Sequence, residues 1–208
     1  NEVGLIPVNF TNPGQIILLN CSYSNIKDIE VSQCSIGIGL YYSDNNTISL
    51  INTTFNSYSG IYIYQSDKNN ITESIIEGNG IYGIYISSLS DNNSIYSNSF
   101  IGNQINAMNY GGDNKWDNGS IGNYWDDYTG CDSNGDGIGE TPYIMNGVQD
   151  NCPITKKRCT SAPISGGGDD DDDDEEPQVV QIPGYDLILI IAVICSISIV
   201  IGWKKIRQ

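Results

Sequence analysis

Apolar positions in this chain alternate with polar or aromatic ones over runs of only three to five residues, and Gly, Asn, Asp and Ser gather between the runs. That alternation predicts short half-buried strands joined by tight turns, since Asn and Asp tolerate left-handed backbone and cap their own turns. Helical periodicity is absent except in one place. Residues 187–202, LILIIAVICSISIVIG, carry no charge and no proline, and Tyr185 and Trp203 flank them. With its flanks the segment approaches the ~20 residues that cross a bilayer. Lys204, Lys205 and Arg207 follow at once, which predicts a single C-terminal transmembrane helix with a cytoplasmic basic end and everything before residue 185 outside.

The strand pattern repeats. SDNNTI from Ser43, SDKNNI from Ser66 and SDNNSI from Ser90 are followed by a degenerate GDNKW from Gly112, so that Asp44, Asp67, Asp91 and Asp113 recur at a nearly constant step. GLYY at Gly39, GIYIY at Gly60 and GIYI at Gly83 keep the same step, as do Cys34, Phe55, Ile76 and Phe100. Repeats of about 22 residues are half the length of a propeller blade and lack the leucine ladder of a leucine-rich solenoid, which leaves an all-β parallel β-helix. Stacked coils give each ladder a face. Leu19, Leu40, Ile61 and Ile84 are expected inward, with Cys21, Tyr42, Ile63 and Ile86 two residues on. Tyr41, Tyr62 and Tyr85 are expected outward, where an aromatic strip could stack on sugar rings; tyrosine ladders also simply favour strands and lock coils together. Residues 1–18 supply at most part of one coil and no polar cap, which suggests that further coils precede Asn1.

The expected organisation is coils over 1–115, a closing segment over 116–160, an acidic stalk over 161–184 and the membrane helix with its tail over 185–208. The stalk reads SGGGDDDDDDEEP, a self-repelling stretch that can bury nothing. A net charge of −16 and the absence of histidine exclude a nucleic-acid binder, which needs a basic face. Seven Asn-x-Ser/Thr sequons, at Asn9, Asn20, Asn45, Asn52, Asn70, Asn92 and Asn118, fit an external location.

Residues 116–154 contain Asn-Tyr-Trp, Asp-Tyr-Thr-Gly, Asn-Gly-Asp-Gly-Ile-Gly and Thr-Pro-Tyr. This run resembles the segment that closes right-handed β-helix repeats in archaeal and bacterial NosD-type surface proteins, and the C-terminal IPGYDL, apolar span and basic tail are similar to anchoring or sorting signals of archaeal surface proteins. The resemblance implies a right-handed β-helix outside the membrane. The copper association of NosD does not carry over, because copper wants imidazole, thiolate or thioether ligands and this chain has no histidine and only Met108 and Met145 as thioethers.

Within the closing segment, Asp132, Asn134 and Asp136 occupy positions 1, 3 and 5 of a calcium loop, Gly137 the sharp turn, the Ile138 carbonyl position 7 and Glu140 position 9. Position 12 is Tyr143 rather than a glutamate, so the loop is not an EF-hand, and a further oxygen would have to come from Asp126, Asp127 or Asp150. The competing reading is a plain Asn-Gly and Asp-Gly turn. Cys131 and Cys152 bracket the loop and are the expected disulfide, with Cys152–Cys159 the competitor; Cys21 and Cys34 read as small apolar residues.

A lyase of acidic polysaccharides needs a base or cation beside the uronate. Residues 1–155 contain no arginine or histidine and only Lys27, Lys68 and Lys115. A glycoside hydrolase could use paired carboxylates, Asp126 with Asp127 or the stacked Asp44, Asp67 and Asp91, although turn capping accounts for the latter. The expectation is a membrane-anchored, non-catalytic surface module, structural or adhesive or binding glycans, with structural calcium; the alternative is a polysaccharide-degrading enzyme whose site lies partly in missing coils.

Overall fold

The computed structural model describes residues 14–159. The membrane span expected over 187–202 and the acidic stalk over 161–184 lie outside these residues, and among the described residues no helix is long and apolar enough to cross a membrane.

The described chain is a parallel β-solenoid of about five coils whose strands stack into three sheets of five, four and five strands; the last coil meets the four-stranded sheet only through a bridge between Ser94 and Lys115. The longest sheet contains Ile16–Leu19, Ile36–Tyr41, Ser59–Tyr64, Tyr82–Ile86 and Ile105–Asn109 in sequence order. A second sheet holds Asn25–Lys27, Thr47–Ser49, Asn70–Thr72 and Ser94–Tyr96. The third is made of Glu30–Ser32, Asn52–Thr54, Ile75–Glu77, Ser99–Ile101 and Tyr124–Trp125. An antiparallel hairpin, Tyr143–Met145 with Val148–Asp150, follows.

Between sheets the chain turns at left-handed residues that recur in columns: Asn20–Tyr42–Gln65, Tyr23–Asn45–Lys68–Asn92–Asp113, Asp28–Leu50–Glu73–Ser97 and Gln33–Phe55–Gly78–Gly102. Left-handed backbone costs a non-glycine residue about 1–2 kcal/mol. The corners hold because their N–H groups donate to the next coil, as Asn45 N does to Asp67 O and Leu50 N to Thr72 O.

The core consists of stacked inward columns: Leu18–Leu40–Ile63–Ile86 and Ile38–Ile61–Ile84–Ala107 from the longest sheet, Ile26–Ile48–Ile71–Ile95 from the second and Val31–Thr53–Ile76–Phe100–Trp125 from the third. Burying each aliphatic side chain contributes about 1.5–3 kcal/mol, so each coil leans on its neighbours. Three expected inward residues are not in these columns. Leu19 is 63% exposed and Leu18 takes its place, because the step to Leu40 is 22 residues where Leu19 would need 21, and Leu40 in turn stacks on Ile63 while Ile61 stacks on Ile38. Tyr42 is 52% exposed at a left-handed corner, where strand alternation has ended, and Cys21 sits at the turn after the first strand. Phe55 likewise occupies a corner, and Thr53 stands in the column where Phe55 was expected.

Polar ladders line the turns inside the core wall. Asn46, Asn69, Asn93 and Asn114 form one, each Nδ2 donating to the next Oδ1 at 3.0 Å. Asn56, Asn79 and Asn103 form another. A third runs Ser74–Asn98–Asn123. Each backbone N–H of a ladder also donates to the next Oδ1, while the last side-chain amides turn back to the carbonyls of Ile76, Ser90 and Ile95, so it is the last backbone N–H that needs an acceptor beyond the ladder. The third ladder ends on Asp150, whose Oδ2 accepts the Asn123 N–H at 2.7 Å. Glycine is required beside the second ladder: a Cβ at Gly60 would sit 2.8 Å from the Gly83 carbonyl oxygen and one at Gly37 2.6 Å from that of Gly60.

Candidate functional site

The outer face of the longest sheet carries a continuous cluster of tyrosines. Register places Tyr62 beside Tyr85 and Met108 in one column and Tyr41 beside Tyr64 in the next. The Tyr62 and Tyr85 rings stack at 5.1 Å and 3°, Tyr41 lies 5.7 Å from Tyr62, and Tyr110 lies 5.8 Å from Tyr85. Tyr58, Tyr82, Tyr64 and Tyr42 extend the contact to both sides. The outward placement expected of Tyr41, Tyr62 and Tyr85 is present, but Tyr62 and Tyr85 turn one ring face to each other. Tyr41, Tyr62 and Tyr85 are each half-buried, while Tyr110 is 60% exposed at the margin. Burial, followed by the neighbouring phenols, raises the pKa of Tyr41, Tyr62 and Tyr85, so their hydroxyls stay protonated donors throughout the physiological range.

The aspartates that recur with the repeat are tied into the coil stack. Asp44 Oδ1 accepts Asp67 N at 2.7 Å, Asp67 Oδ1 accepts Asp91 N at 2.8 Å and Asp91 Oδ1 accepts Gly112 N at 2.6 Å. Gly112 rather than Asp113 therefore ends this column. Asp126 and Asp127 converge: both accept the Asn106 amide, at 2.7 and 2.9 Å, and Asp127 also accepts the Tyr143 hydroxyl at 3.2 Å. Burial, then the Asp127 charge, pushes the Tyr143 phenol well above its ordinary range.

In the loop of the closing segment, Asp132 is buried, and its carboxylate accepts Gly135 N at 2.5 Å and Gly137 N at 3.0 Å, with Arg158 3.6 Å away. These backbone donors, opposed by burial and helped by Arg158, hold its pKa below the ordinary carboxylate value. Asn134 Oδ1 accepts Asp136 N, Asp136 Oδ1 accepts Ile138 N, and Glu140 Oε1 accepts both the N–H and the hydroxyl of Ser133. The side-chain oxygens of the expected calcium set are thus engaged by the loop's own donors, and among the described residues no group of three or more His, Cys, Asp or Glu side chains could hold a metal ion.

The disulfide joins Cys131 to Cys159, with 5.0 Å between Cα atoms, and Cys152 is free. This corrects the expected Cys131–Cys152 pair. Asp132 N donates to Lys157 O and Cys159 N to Asp132 O, a parallel bridge that brings Cys159 beside Cys131. Cys152 is held elsewhere, its carbonyl accepting Gly122 N and its N–H donating to Asp150. Closing a loop of 28 residues contributes about 3–4 kcal/mol in the chain-entropy model.

Residues 8–130 match the family model described as periplasmic copper-binding protein (NosD). A protein of Stutzerimonas stutzeri described as a probable ABC transporter binding protein NosD is 40% identical over 58 residues, which cover 27% of this chain and 13% of that protein. The matched stretch is therefore a small part of that relative. Copper does not fit the described residues. The sequence has no histidine, and among the described residues the free thiols of Cys21, Cys34 and Cys152 join no group of three or more His, Cys, Asp or Glu side chains that could hold a metal ion. The solenoid architecture and a family match spanning more than half of the sequence agree, and the chain belongs to the NosD family.

Proposed function

We propose that this chain is a non-catalytic surface module that holds glycans on the tyrosine face of its longest sheet, outside the cell and anchored by the apolar span at 187–202. The observation that carries this reading is the tyrosine cluster on the outer face of that sheet, where half-exposed rings contact one another from coil to coil. Aromatic edges supply apolar contact, and phenols supply donors and acceptors to sugar hydroxyls. Among the described residues the hydroxyls of Tyr41, Tyr62 and Tyr85 have no protein partner. Alanine at both Tyr62 and Tyr85 is expected to weaken retention on a glycan array by about tenfold or more, the equivalent of one to two hydrogen bonds with their contact area. The circular-dichroism spectrum should stay β-dominated. Unchanged retention in a folded double variant removes the face from the function.

A second reading rests on Asp126 and Asp127, two exposed carboxylates that meet at the Asn106 amide. Paired carboxylates are the machinery of a glycoside hydrolase.

Calcium is proposed as a structural ion of the Asp132–Glu140 loop. Support comes from the spacing of Asp132, Asn134, Asp136, the Ile138 carbonyl and Glu140; each Asp132 carboxylate oxygen accepts one backbone N–H, from Gly135 and Gly137, and keeps a second lone pair for a cation. An ion held only by the folded state at 100 times its dissociation constant adds about 2.7 kcal/mol. Millimolar calcium is therefore expected to raise the melting temperature relative to chelator, and Asp132→Ala with Asp136→Ala to abolish the rise. Superposable melting curves for the unsubstituted protein make the loop a turn and nothing more.

A further inference from the structure

The strands of the longest sheet, IILL, IGIGLY, SGIYIY, YGIYI and INAMN, hold no charged residue, in a chain whose net charge is −16. The other two sheets differ, since Lys27, Glu30 and Glu77 lie on their strands. On the outer face of the longest sheet Ile17 and Met108 end the column that holds Tyr62 and Tyr85, and Leu19 begins that of Tyr41 and Tyr64, so the surface is aromatic, aliphatic and uncharged throughout. The corners that lead into these strands, residues 33–35, 55–58, 78–81 and 102–104, add no charge. The corners that follow them add a row of aspartates. Asp44, Asp67 and Asp91 are half-buried and bonded from coil to coil through one carboxylate oxygen each, and Lys68 is the one cation among residues 42–46, 65–69 and 87–93.

This distribution of charge decides what the face can hold. A uronate or sulfate laid on the tyrosines would leave water without a cation to receive it, and desolvating an unpaired charge is costly. It would also be repelled by the aspartate margin. An uncharged sugar meets neither cost: its apolar ring surface rests on aromatic rings, and its hydroxyls exchange hydrogen bonds with phenols. Repulsion between exposed charges reaches about one Debye length, roughly 30 Å at 0.01 M salt and 3 Å at 1 M. Discrimination that arises from the margin therefore fades as salt rises.

We propose that the tyrosine face takes uncharged glycans and rejects uronates and sulfated sugars, with the row of Asp44, Asp67 and Asp91 as its repelling margin. This inference rests on the reading of that face as a glycan site and adds the class of glycan it accepts.

The test is equilibrium binding of the protein to immobilised polymers in matched pairs that differ in charge: hydroxyethylcellulose and carboxymethylcellulose, dextran and dextran sulfate, methyl-esterified and free polygalacturonate. At about 0.01 M salt the uncharged member of at least one pair is expected to bind saturably and its charged counterpart about tenfold or more weaker, with the gap narrowing at about 1 M. Replacing Asp44, Asp67 and Asp91 together by asparagine keeps an Oδ1 acceptor for each coil-to-coil bond and removes the three charges. That variant should bind the charged polymer about five- to tenfold more tightly at low salt and the uncharged one as before. A charged polymer bound as tightly as its uncharged partner, a gap indifferent to salt, or an unaltered preference in the folded triple variant each overturns the proposal and leaves the face a glycan site of another class. Binding to none of the polymers, or binding that survives Tyr62→Ala with Tyr85→Ala, overturns the reading of the face itself and this inference with it.

Discussion

Replacing Asp150 with alanine is expected to destabilise the protein by about 4–6 kcal/mol, because three donors lose their acceptor together and each buried unsatisfied group costs about 1–3 kcal/mol. Asn123 N, Trp125 Nε1 and Cys152 N converge on this one carboxylate at 2.7, 2.9 and 3.0 Å, and Asp150 is fully buried. Denaturant unfolding checks the loss; a change below about 1 kcal/mol would show that water replaces the carboxylate without penalty. Burial raises the Asp150 pKa, against the lowering effect of its donors. A raised folded-state value means that proton uptake favours the folded form: this contribution is complete below the unfolded value of about 3.9 and is lost as pH rises through the folded value. The stability gap between the unsubstituted protein and Asp150→Ala should therefore be wider at about pH 4 than at about pH 7.

Trp125→Ala is expected to destabilise by about 3–5 kcal/mol. Trp125 is the middle of a closing aromatic column, stacked on Phe100 at 4.4 Å and 6° and beneath Tyr143 at 4.3 Å and 4°. The column fills the end of the core and connects the last coil to the hairpin, so its removal opens a cavity and uncouples the closing segment. Because Trp125 also donates to Asp150, the double variant should lose less than the sum of the two single losses. Additivity within about 0.5 kcal/mol would mean that the hydrogen bond between them carries no weight.

The solenoid is legible in the sequence because one coil buries its apolar residues only against the next, which forces a repeat that can be counted. Leu40, Ile61, Ile63, Ile84 and Ile86 point inward and Tyr41, Tyr62 and Tyr85 outward as alternation requires. Leu19, Tyr42 and Phe55 do not follow, since coil length varies by a residue or two and alternation stops at left-handed corners. The asparagine ladders are visible as recurring Asn46, Asn69 and Asn93, yet the same residues also serve as turn formers, so their buried side-chain pairing has no separate signal. The closing segment is the least legible part. It has no period, and the pairing of Cys131 with Cys159 depends on the bridge between Asp132 and Arg158.

Whether this solenoid holds glycans or cuts them is decided by incubating the protein with a panel of neutral and acidic polysaccharides while measuring, in the same samples, bound glycan and newly formed reducing ends or unsaturated uronates. A binding module resting on Tyr62 and Tyr85 predicts retention with no new ends and no unsaturation, and loss of retention in the Tyr62→Ala, Tyr85→Ala variant. New chain ends that disappear in Asp126→Asn or Asp127→Asn would contradict it and make the carboxylate pair at Asn106 the working site.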